Sequence, residues 1–120
     1  MRSLDMLRFA ILSHDYPSLH WDFLLENGDK CRTWRLLNAP DATSGEMSAE
    51  EIADHRLFYL DYEGPVSGQR GSVTRWDAGT FEWLRNEADH CLVLLDGHRW
   101  HGRVHLRREQ GAMWVCRRDA

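Results

Sequence analysis

Short runs of alternating apolar and polar residues recur along this chain, with turn residues between them. In the run 19–26, apolar side chains at the odd-numbered positions alternate with His20, Asp22, Leu24 and Glu26. Alternation with a period of two is typical of strands, and the chain has almost no helical periodicity. Many short strands separated by turns predict an all-β fold, a closed or nearly closed antiparallel β-barrel with short helical turns.

Turn residues set the expected boundaries of the elements. Residues 27–29 (Asn-Gly-Asp) are typical of a hairpin turn, and residues 77–79 (Asp-Ala-Gly) predict a second turn. Ser48, followed three residues later by Glu51, fits a capping box, which predicts a helical turn at 48–53. Strands are predicted at 8–13, 19–26, 30–37, 58–60, 72–76, 80–84, 91–95, 99–107 and 113–117.

Length and composition bound the class of protein. A chain of 120 residues predicts one domain, 1–120. There is no run of about 18 apolar residues and no cleavage site near the start, so we expect neither a membrane span nor a signal peptide. Cys31, Cys91 and Cys116 lack the spacing of metal ligands, which predicts reduced thiols in a cytoplasmic protein. The six tryptophans are expected mainly in the core.

Charge is distributed unevenly. The formal net charge of −4 argues against a strong nonspecific nucleic-acid binder. Residues 36–55 contain no lysine or arginine, whereas arginines recur near the C-terminus. A basic face for phosphate contacts and an ordinary solvated strand surface are both open interpretations. The arginines concerned are Arg99, Arg103, Arg107, Arg108, Arg117 and Arg118.

A candidate metal site lies within nine residues. His20 and Asp22 are two apart on a predicted strand and therefore project from the same face. His14, at the end of the preceding strand, can reach that face. Two imidazoles and one carboxylate suit Mn²⁺, Zn²⁺ or Fe²⁺ and leave coordination positions open for water or substrate. This donor set predicts a catalytic metal, against the alternative of ordinary surface or core histidines.

Other histidines offer weaker candidates. His55 is a candidate for a fourth polar group at the same site, acting on substrate or as a general acid. His101 and His105 are four apart on a predicted strand and share a face, which makes them a second possible pair. No glycine loop for nucleotide phosphates and no serine or cysteine nucleophile motif is present in the sequence.

Five segments between residues 8 and 107 form an ordered set. They read His-Asp-Tyr-Pro-Ser-Leu-His-Trp-Asp-Phe-Leu-Leu-Glu (14–26), Thr-Trp-Arg-Leu-Leu (33–37), Ala-Asp-His-Arg-Leu-Phe-Tyr-Leu-Asp-Tyr-Glu-Gly (53–64), Gly-Ser-Val-Thr-Arg-Trp-Asp-Ala-Gly-Thr-Phe (71–81) and Leu-Asp-Gly-His-Arg-Trp-His-Gly-Arg-Val-His-Leu (95–106). The set resembles the 3′-phosphoesterase domain of bacterial DNA ligase D, which also occurs as stand-alone proteins. That family's blocks read His-Asp-x₄-His-Tyr-Asp-Phe-Arg-Leu-Glu, Ser-Trp-Ala-Val-Pro, Glu-Asp-His-Pro-Leu-x-Tyr-x-Asp-Phe-Glu-Gly, Gly-x-Val-x-x-Trp-Asp-x-Gly-Thr-Trp and Leu-x-Gly-x₄-Gly-x₃-Leu.

The resemblance implies a closed β-barrel with a Mn²⁺-dependent site in a groove, Zn²⁺ being another candidate ion. It implies that the histidine pair and aspartate of the first block hold the metal. By the same resemblance, His55 contacts phosphate or acts in catalysis, and Tyr59 lines the site. Asp15, beside the first metal-binding histidine, completes the predicted catalytic residues.

The implied activity is the healing of DNA 3′ ends during break repair. A terminal ribonucleoside is removed first, and the remaining 3′-phosphate is then hydrolysed to a hydroxyl that a ligase can seal. The expected partners are therefore DNA 3′ ends and a DNA ligase or polymerase.

Three positions depart from the family pattern. Leu24 stands where the family has a catalytic arginine, Asn38 falls near a family lysine, and Met47 falls near a second arginine. Losing one such donor typically lowers a rate on the order of 10²–10³-fold. Candidate replacements are Arg35, Arg56, Arg75 and the C-terminal arginines.

These departures leave two main interpretations open. The chain is either a working phosphoesterase or a catalytically impaired member that binds DNA ends or a repair partner. A third interpretation, an Fe²⁺ oxygenase built on the same two histidines and carboxylate, is not favoured by the remaining blocks.

Overall fold

Nine antiparallel strands and one short 3₁₀ helix make up the described part of this computed structural model, residues 6–41 and 45–119. The strands are β1 (Leu7–His14), β2 (His20–Asn27), β3 (Lys30–Leu36), β4 (Glu46–Arg56), β5 (Gly64–Pro65), β6 (Ser72–Asn86), β7 (His90–Gly97), β8 (His101–Gln110) and β9 (Met113–Arg118). The 3₁₀ helix, Leu57–Leu60, follows β4 directly.

Eight of these strands close into a barrel. Their order is β1-β2-β3-β4-β9-β8-β7-β6, and β1 also pairs with β6, which joins the two ends of the sheet. The two-residue β5 lies outside this circle and pairs with the start of β6. The predicted antiparallel β-barrel is therefore confirmed. In the described part of the chain, no helix has the length and apolar character needed to span a bilayer.

The barrel interior is filled by alternate residues of every barrel strand, as the period of two requires. Trp34, Trp100 and Trp114 are fully buried there, and the other three tryptophans pack against the same cluster. The prediction that the tryptophans are mainly core residues is confirmed. All three cysteines are buried free thiols.

A second apolar cluster lies on the outer face of the barrel. Strands β1 and β2 are buried on both faces, because the 3₁₀ helix and the loop after it cover their outer side chains. Leu60 of the helix is buried in this outer cluster and contributes to that cover. The outer cluster consists of Ala10, Leu12, Leu24, Cys31, Leu60, Val66 and Val73.

The predicted helical turn at 48–53 is wrong, because those residues lie inside β4. Ser48 and Ala49 pair with Val115 and Trp114 of β9, and Ala49 is buried in the barrel core. A local capping pattern is worth about 1 kcal/mol, less than the ladder and the core packing that this strand gains. Long-range pairing therefore overrides the local signal.

Two further boundaries differ from the predictions. Residues 58–60 form part of the 3₁₀ helix instead of a strand. Residues 77–79 lie within β6, a single strand of 15 residues, instead of forming a turn. The Asp77 carboxylate accepts hydrogen bonds from the backbone N–H groups of residues 98–100. This aspartate therefore stabilises the turn that follows β7 and does not form a turn at 77–79.

Candidate metal centre

His14, His20 and Asp22 meet on the outer face of the barrel, at one end of the β1–β2 hairpin. His14 and His20 are directly opposite each other in the register of the hairpin, and their ring centroids lie 4.9 Å apart. Asp22 projects from the same face two residues along β2. One ligand atom from each of the three residues lies within 4.8 Å of the others, so they can bind one ion. The structure brings together the three side chains that the spacing argument expected on one face, and metal binding by them stays a prediction.

His55 of β4 joins the same cluster. Its Nε2 lies 3.6 Å from Asp22 Oδ2, while His20 Nε2 lies 3.4 Å from Asp22 Oδ1 and His14 Nδ1 lies 3.9 Å from Asp22 Oδ2. Three imidazoles thus surround one carboxylate.

Backbone carbonyl groups orient all three rings. A carbonyl oxygen accepts only from a ring N–H, so each contact fixes which nitrogen carries the proton in the neutral ring. The other ring nitrogen then has a free lone pair on the side of Asp22. Histidines that bind metals commonly donate the N–H of the non-ligating nitrogen to a carbonyl group in this way. The three donors are His14 Nε2 to Arg70 O at 2.8 Å, His20 Nδ1 to Ser18 O at 2.9 Å, and His55 Nδ1 to Ala53 O at 3.1 Å.

His20 Nε2 and Asp22 Oδ1 are buried and face each other at 3.4 Å, and neither atom has another partner. Burial alone raises the pKa of the Asp22 carboxyl, but hydrogen bonds and charges from His20 and His55 outweigh it and hold that pKa at about 2. The hydrogen bond to Asp22 raises the pKa of His20, and burial opposes it. A buried carboxylate beside bare imidazole nitrogens is a donor set that fits a divalent cation.

A β-bulge puts His55 on the outer face. In the β3–β4 register, Cys31 is opposite His55 and Thr33 is opposite Ile52, so β4 carries one extra residue between these pairs. Without it, strict alternation would turn His55 toward the barrel interior.

Tyr59 and Asp15 lie at different edges of the site. The Tyr59 ring contacts the His55 ring, with 5.8 Å between centroids, and lines the pocket beside it. Asp15 Oδ1 accepts a hydrogen bond from the Ser72 backbone N–H at 2.8 Å and holds the loop that carries Arg70. This contact gives Asp15 a positioning role, and its predicted catalytic role stays a prediction.

The cluster opens into a pocket of about 310 Å³. Three arginines, Arg35, Arg56 and Arg70, line it together with His14 and His55. The sequence analysis named Arg35 and Arg56 as possible replacements for the family arginine, but it did not name Arg70. Arg70 lies in the glycine-rich segment 68–71, and its backbone carbonyl contacts His14. That segment is the sequence feature that could have indicated it.

The remaining histidine pair does not build a second centre. His101 Nδ1 lies 4.0 Å from Asp96 Oδ1, and His105 Nε2 lies 3.2 Å from Asp119 Oδ1. Among the residues that the structure describes, these side chains form no group of three possible metal ligands.

The three departures from the family pattern occupy different environments. Leu24 is fully buried in the outer apolar cluster and is not part of the pocket lining. Met47 is buried in the barrel interior, and Asn38 is exposed after β3. None of these positions offers a cation to the pocket.

Comparison with known proteins agrees with the five segments. A family model described as the DNA ligase D 3′-phosphoesterase domain matches residues 12–108. The multifunctional non-homologous end joining protein LigD of Pseudomonas aeruginosa is 32% identical over 115 residues, which cover 88% of this chain and 14% of that protein. The LigD proteins of Mycobacterium bovis and Mycobacterium tuberculosis are 35% identical over 118 residues, covering 92% of this chain and 16% of theirs.

The chain therefore spans about one sixth or less of these relatives, and the match lies in one part of them. The family model covers the candidate metal site, from His14 to His55, and most of the barrel. The chain belongs to the DNA ligase D 3′-phosphoesterase domain family.

Proposed function

We propose that this protein is a divalent-metal-dependent phosphoesterase that heals the 3′ ends of DNA at breaks. The observation that carries the proposal is the cluster of His14, His20 and Asp22, whose buried His20 Nε2 and Asp22 Oδ1 have no partner besides each other, in a domain of a 3′-phosphoesterase family. The substrates proposed are a 3′-terminal ribonucleotide and the 3′-phosphate that remains after its removal.

The donor set suits Mn²⁺, and Zn²⁺ is the alternative, because two imidazoles and one carboxylate satisfy either ion and leave positions open. When bound, such an ion polarises a phosphate oxygen and acidifies water. His20 and Asp22 are buried and positioned before any ligand arrives, since the neighbouring strands and the Ser18 carbonyl hold them. This preorganisation favours tight binding.

His55 has the geometry of the general acid. Its Nδ1 donates to the Ala53 carbonyl, so the proton that His55 would give up as a general acid is the one that the protonated ring carries on Nε2. The His55 side chain is 26% exposed, against 7% for His20, so it reaches substrate more easily. Proton donation to the leaving 3′ oxygen is the role we assign to His55, with the Tyr59 ring holding its orientation.

The biological setting follows from the relatives. The LigD proteins of Pseudomonas and Mycobacterium are named as multifunctional non-homologous end joining proteins. A domain of that family with a phosphoesterase site would prepare ends for joining, so DNA ends are the proposed substrate and a DNA ligase or polymerase the proposed partner.

Release of phosphate from a primer-template that ends in a 3′-phosphate tests the activity. The wild type with Mn²⁺ is expected to convert the 3′-phosphate to a 3′-hydroxyl, and His55→Ala should be slower by on the order of 10²–10⁴-fold. His101→Ala is the matched control, because that histidine is exposed and outside the cluster. Equal rates for His55→Ala and the control would contradict the proposed acid.

A second candidate function is a binding module for DNA ends. The burial of Leu24, at the position of a family arginine, favours it, because the site then lacks one cation at its usual place. Retention of 3′-phosphorylated ends without turnover in Mn²⁺ would support this function instead.

A further inference from the structure

The pocket beside the metal cluster contains cations that the family blocks do not have at the same positions. Arg35 stands where the family block has alanine, and Arg56 stands where it has proline. Both side chains line the pocket with His14, Asp22 and His55. This chain therefore has leucine at the position of the family arginine and two arginines in the pocket where the family blocks have alanine and proline.

Arg35 lies directly opposite Asp22 in the β2–β3 register, so the two side chains project from the same outer face. Its Nε is buried and has no hydrogen-bond partner. Within the described ranges, no residue forms an ion pair or hydrogen bond with this guanidinium. An unsatisfied guanidinium nitrogen in a polar pocket is typical of a site that receives an anion.

Arg56 approaches the same pocket from the end of β4. Its guanidinium lies 5.0 Å from the centre of the Phe58 ring and 5.9 Å from that of Tyr59, and these contacts hold the side chain without using its N–H groups. Arg56 is exposed, and its donors are available to a ligand.

Other arginines near the site already have hydrogen-bond or ion-pair partners in the protein. Arg8 is paired with Asp61, Arg75 lies 3.8 Å from Glu63, and Arg70 donates to Ser67. The charges of Arg8 and Arg75 are paired within the protein, and Arg70 uses its Nε and one terminal nitrogen for Ser67. Arg35 and Arg56 remain as the pocket cations whose hydrogen-bonding groups are unused in the described structure.

We propose that Arg35 binds the terminal phosphate of the substrate, with Arg56 as a second donor, in place of an arginine at position 24. The proposal rests on the proposed function, since it names the residue that holds the phosphate monoester at the same site. A planar guanidinium across the strand from Asp22 supplies two parallel donors to phosphate oxygens. Arg35 on β3 would then take the place of an arginine on β2, from the same outer face as Asp22.

Binding measured without turnover tests this assignment. Fluorescence anisotropy in EDTA compares labelled primer-templates that end in a 3′-phosphate or a 3′-hydroxyl. The wild type is expected to prefer the phosphate, and Arg35→Gln should reduce that preference on the order of 10- to 100-fold, as expected for a charge-assisted hydrogen bond. Arg35→Lys should retain part of the phosphate preference, because lysine keeps the positive charge but lacks the paired N–H donors of the guanidinium.

Arg75→Gln is the matched control, because it removes one positive charge near the site but outside the pocket lining. It should leave the phosphate preference unchanged, and thermal unfolding of Arg35→Gln close to that of wild type would show an intact barrel. A preference retained in Arg35→Gln overturns this assignment alone. A wild type that shows no preference and no turnover overturns both the assignment and the proposed function.

Discussion

His55 Nε2 lies 3.6 Å from Asp22 Oδ2, although the two residues belong to strands that are not neighbours. Strand β3 lies between them, and the bulge in β4 turns His55 outward across it. The proximity of His55, the proposed general acid, to Asp22, the proposed metal-binding carboxylate, therefore depends on one extra residue in β4.

The pH dependence of the metal-free protein follows from the Asp22–His20 contact. The pKa of Asp22 is lowered to about 2, so its contribution to stability is present above about pH 4 and is lost as the pH falls toward 2. The pKa of His20 is raised, so its contribution is present below about pH 6.5 and is lost as the pH rises through the raised pKa. The contact stabilises the metal-free fold most between these limits.

A metal ion has to replace the His20 proton, so the stabilisation by Mn²⁺ should increase with pH. Melting temperatures with and without Mn²⁺ at about pH 6 and about pH 8 measure this, and the larger increase is expected at the higher pH. Asp22→Asn should abolish the increase at both. A Mn²⁺ effect that is independent of pH would show that His20 is not a ligand.

Restoring the family arginine by Leu24→Arg should destabilise the protein. Leu24 is 0% exposed and packs among apolar side chains of the outer cluster, so the guanidinium would be buried without a partner. The expected loss is on the order of 3 kcal/mol or more in the free energy of unfolding, against less than about 1.5 kcal/mol for Leu24→Met. Denaturant titration measures both, and a stable Leu24→Arg variant with increased phosphatase activity would contradict the relocation of the arginine to Arg35.

The turn after β7 depends on one buried carboxylate. Asp77 accepts hydrogen bonds from the backbone N–H groups of His98, Arg99 and Trp100 at 2.9, 3.1 and 2.8 Å. Asp77→Ala leaves these donors without their partner and should lower the free energy of unfolding by about 3 kcal/mol or more. Asp96→Ala, at an exposed position, should change it by less than about 0.5 kcal/mol. Similar midpoints in urea for the two variants would contradict the role assigned to Asp77.

Gly71 lies in the loop whose Arg70 carbonyl contacts His14, a proposed metal ligand. Its φ is +73°, and a Cβ there would overlap the Asp15 carboxylate and the Tyr16 side chain. Gly71→Ala should displace the Arg70 carbonyl from His14 and weaken Mn²⁺ binding. Gly111→Ala is the control, because its φ is +59° but a Cβ there meets no atom within 4 Å. Equal Mn²⁺ affinity in the two variants would show that the position of this loop does not affect Mn²⁺ binding.

The sequence predicted the barrel and the proximity of His14, His20 and Asp22 because both follow from local rules. Alternation defines the strands, and a hairpin brings His14 opposite His20 without any long-range information. The turn signals failed at Ser48 and at Asp77, where partners distant in the sequence decide the conformation. Local propensity is weak beside strand pairing and core burial.

The arginine arrangement was beyond a pattern-based prediction. The sequence named Arg35 as one of several possible replacements, but only the register of β2 with β3 places it opposite Asp22. The family resemblance implied a catalytic role for His55. The outward direction of its side chain, however, depends on the bulge in β4, which no residue pattern in that strand indicates. Register and bulges are set by the closure of the whole barrel.

Counting bound Mn²⁺ tests the central claim, that His14, His20 and Asp22 form a metal centre. Titration of the purified chain with Mn²⁺, followed by calorimetry or by the electron paramagnetic resonance of the free ion, is expected to give one ion per chain in the wild type. Asp22→Ala should lose it and His101→Ala should retain it. Binding that survives Asp22→Ala, or a wild type that binds no ion, would contradict the account.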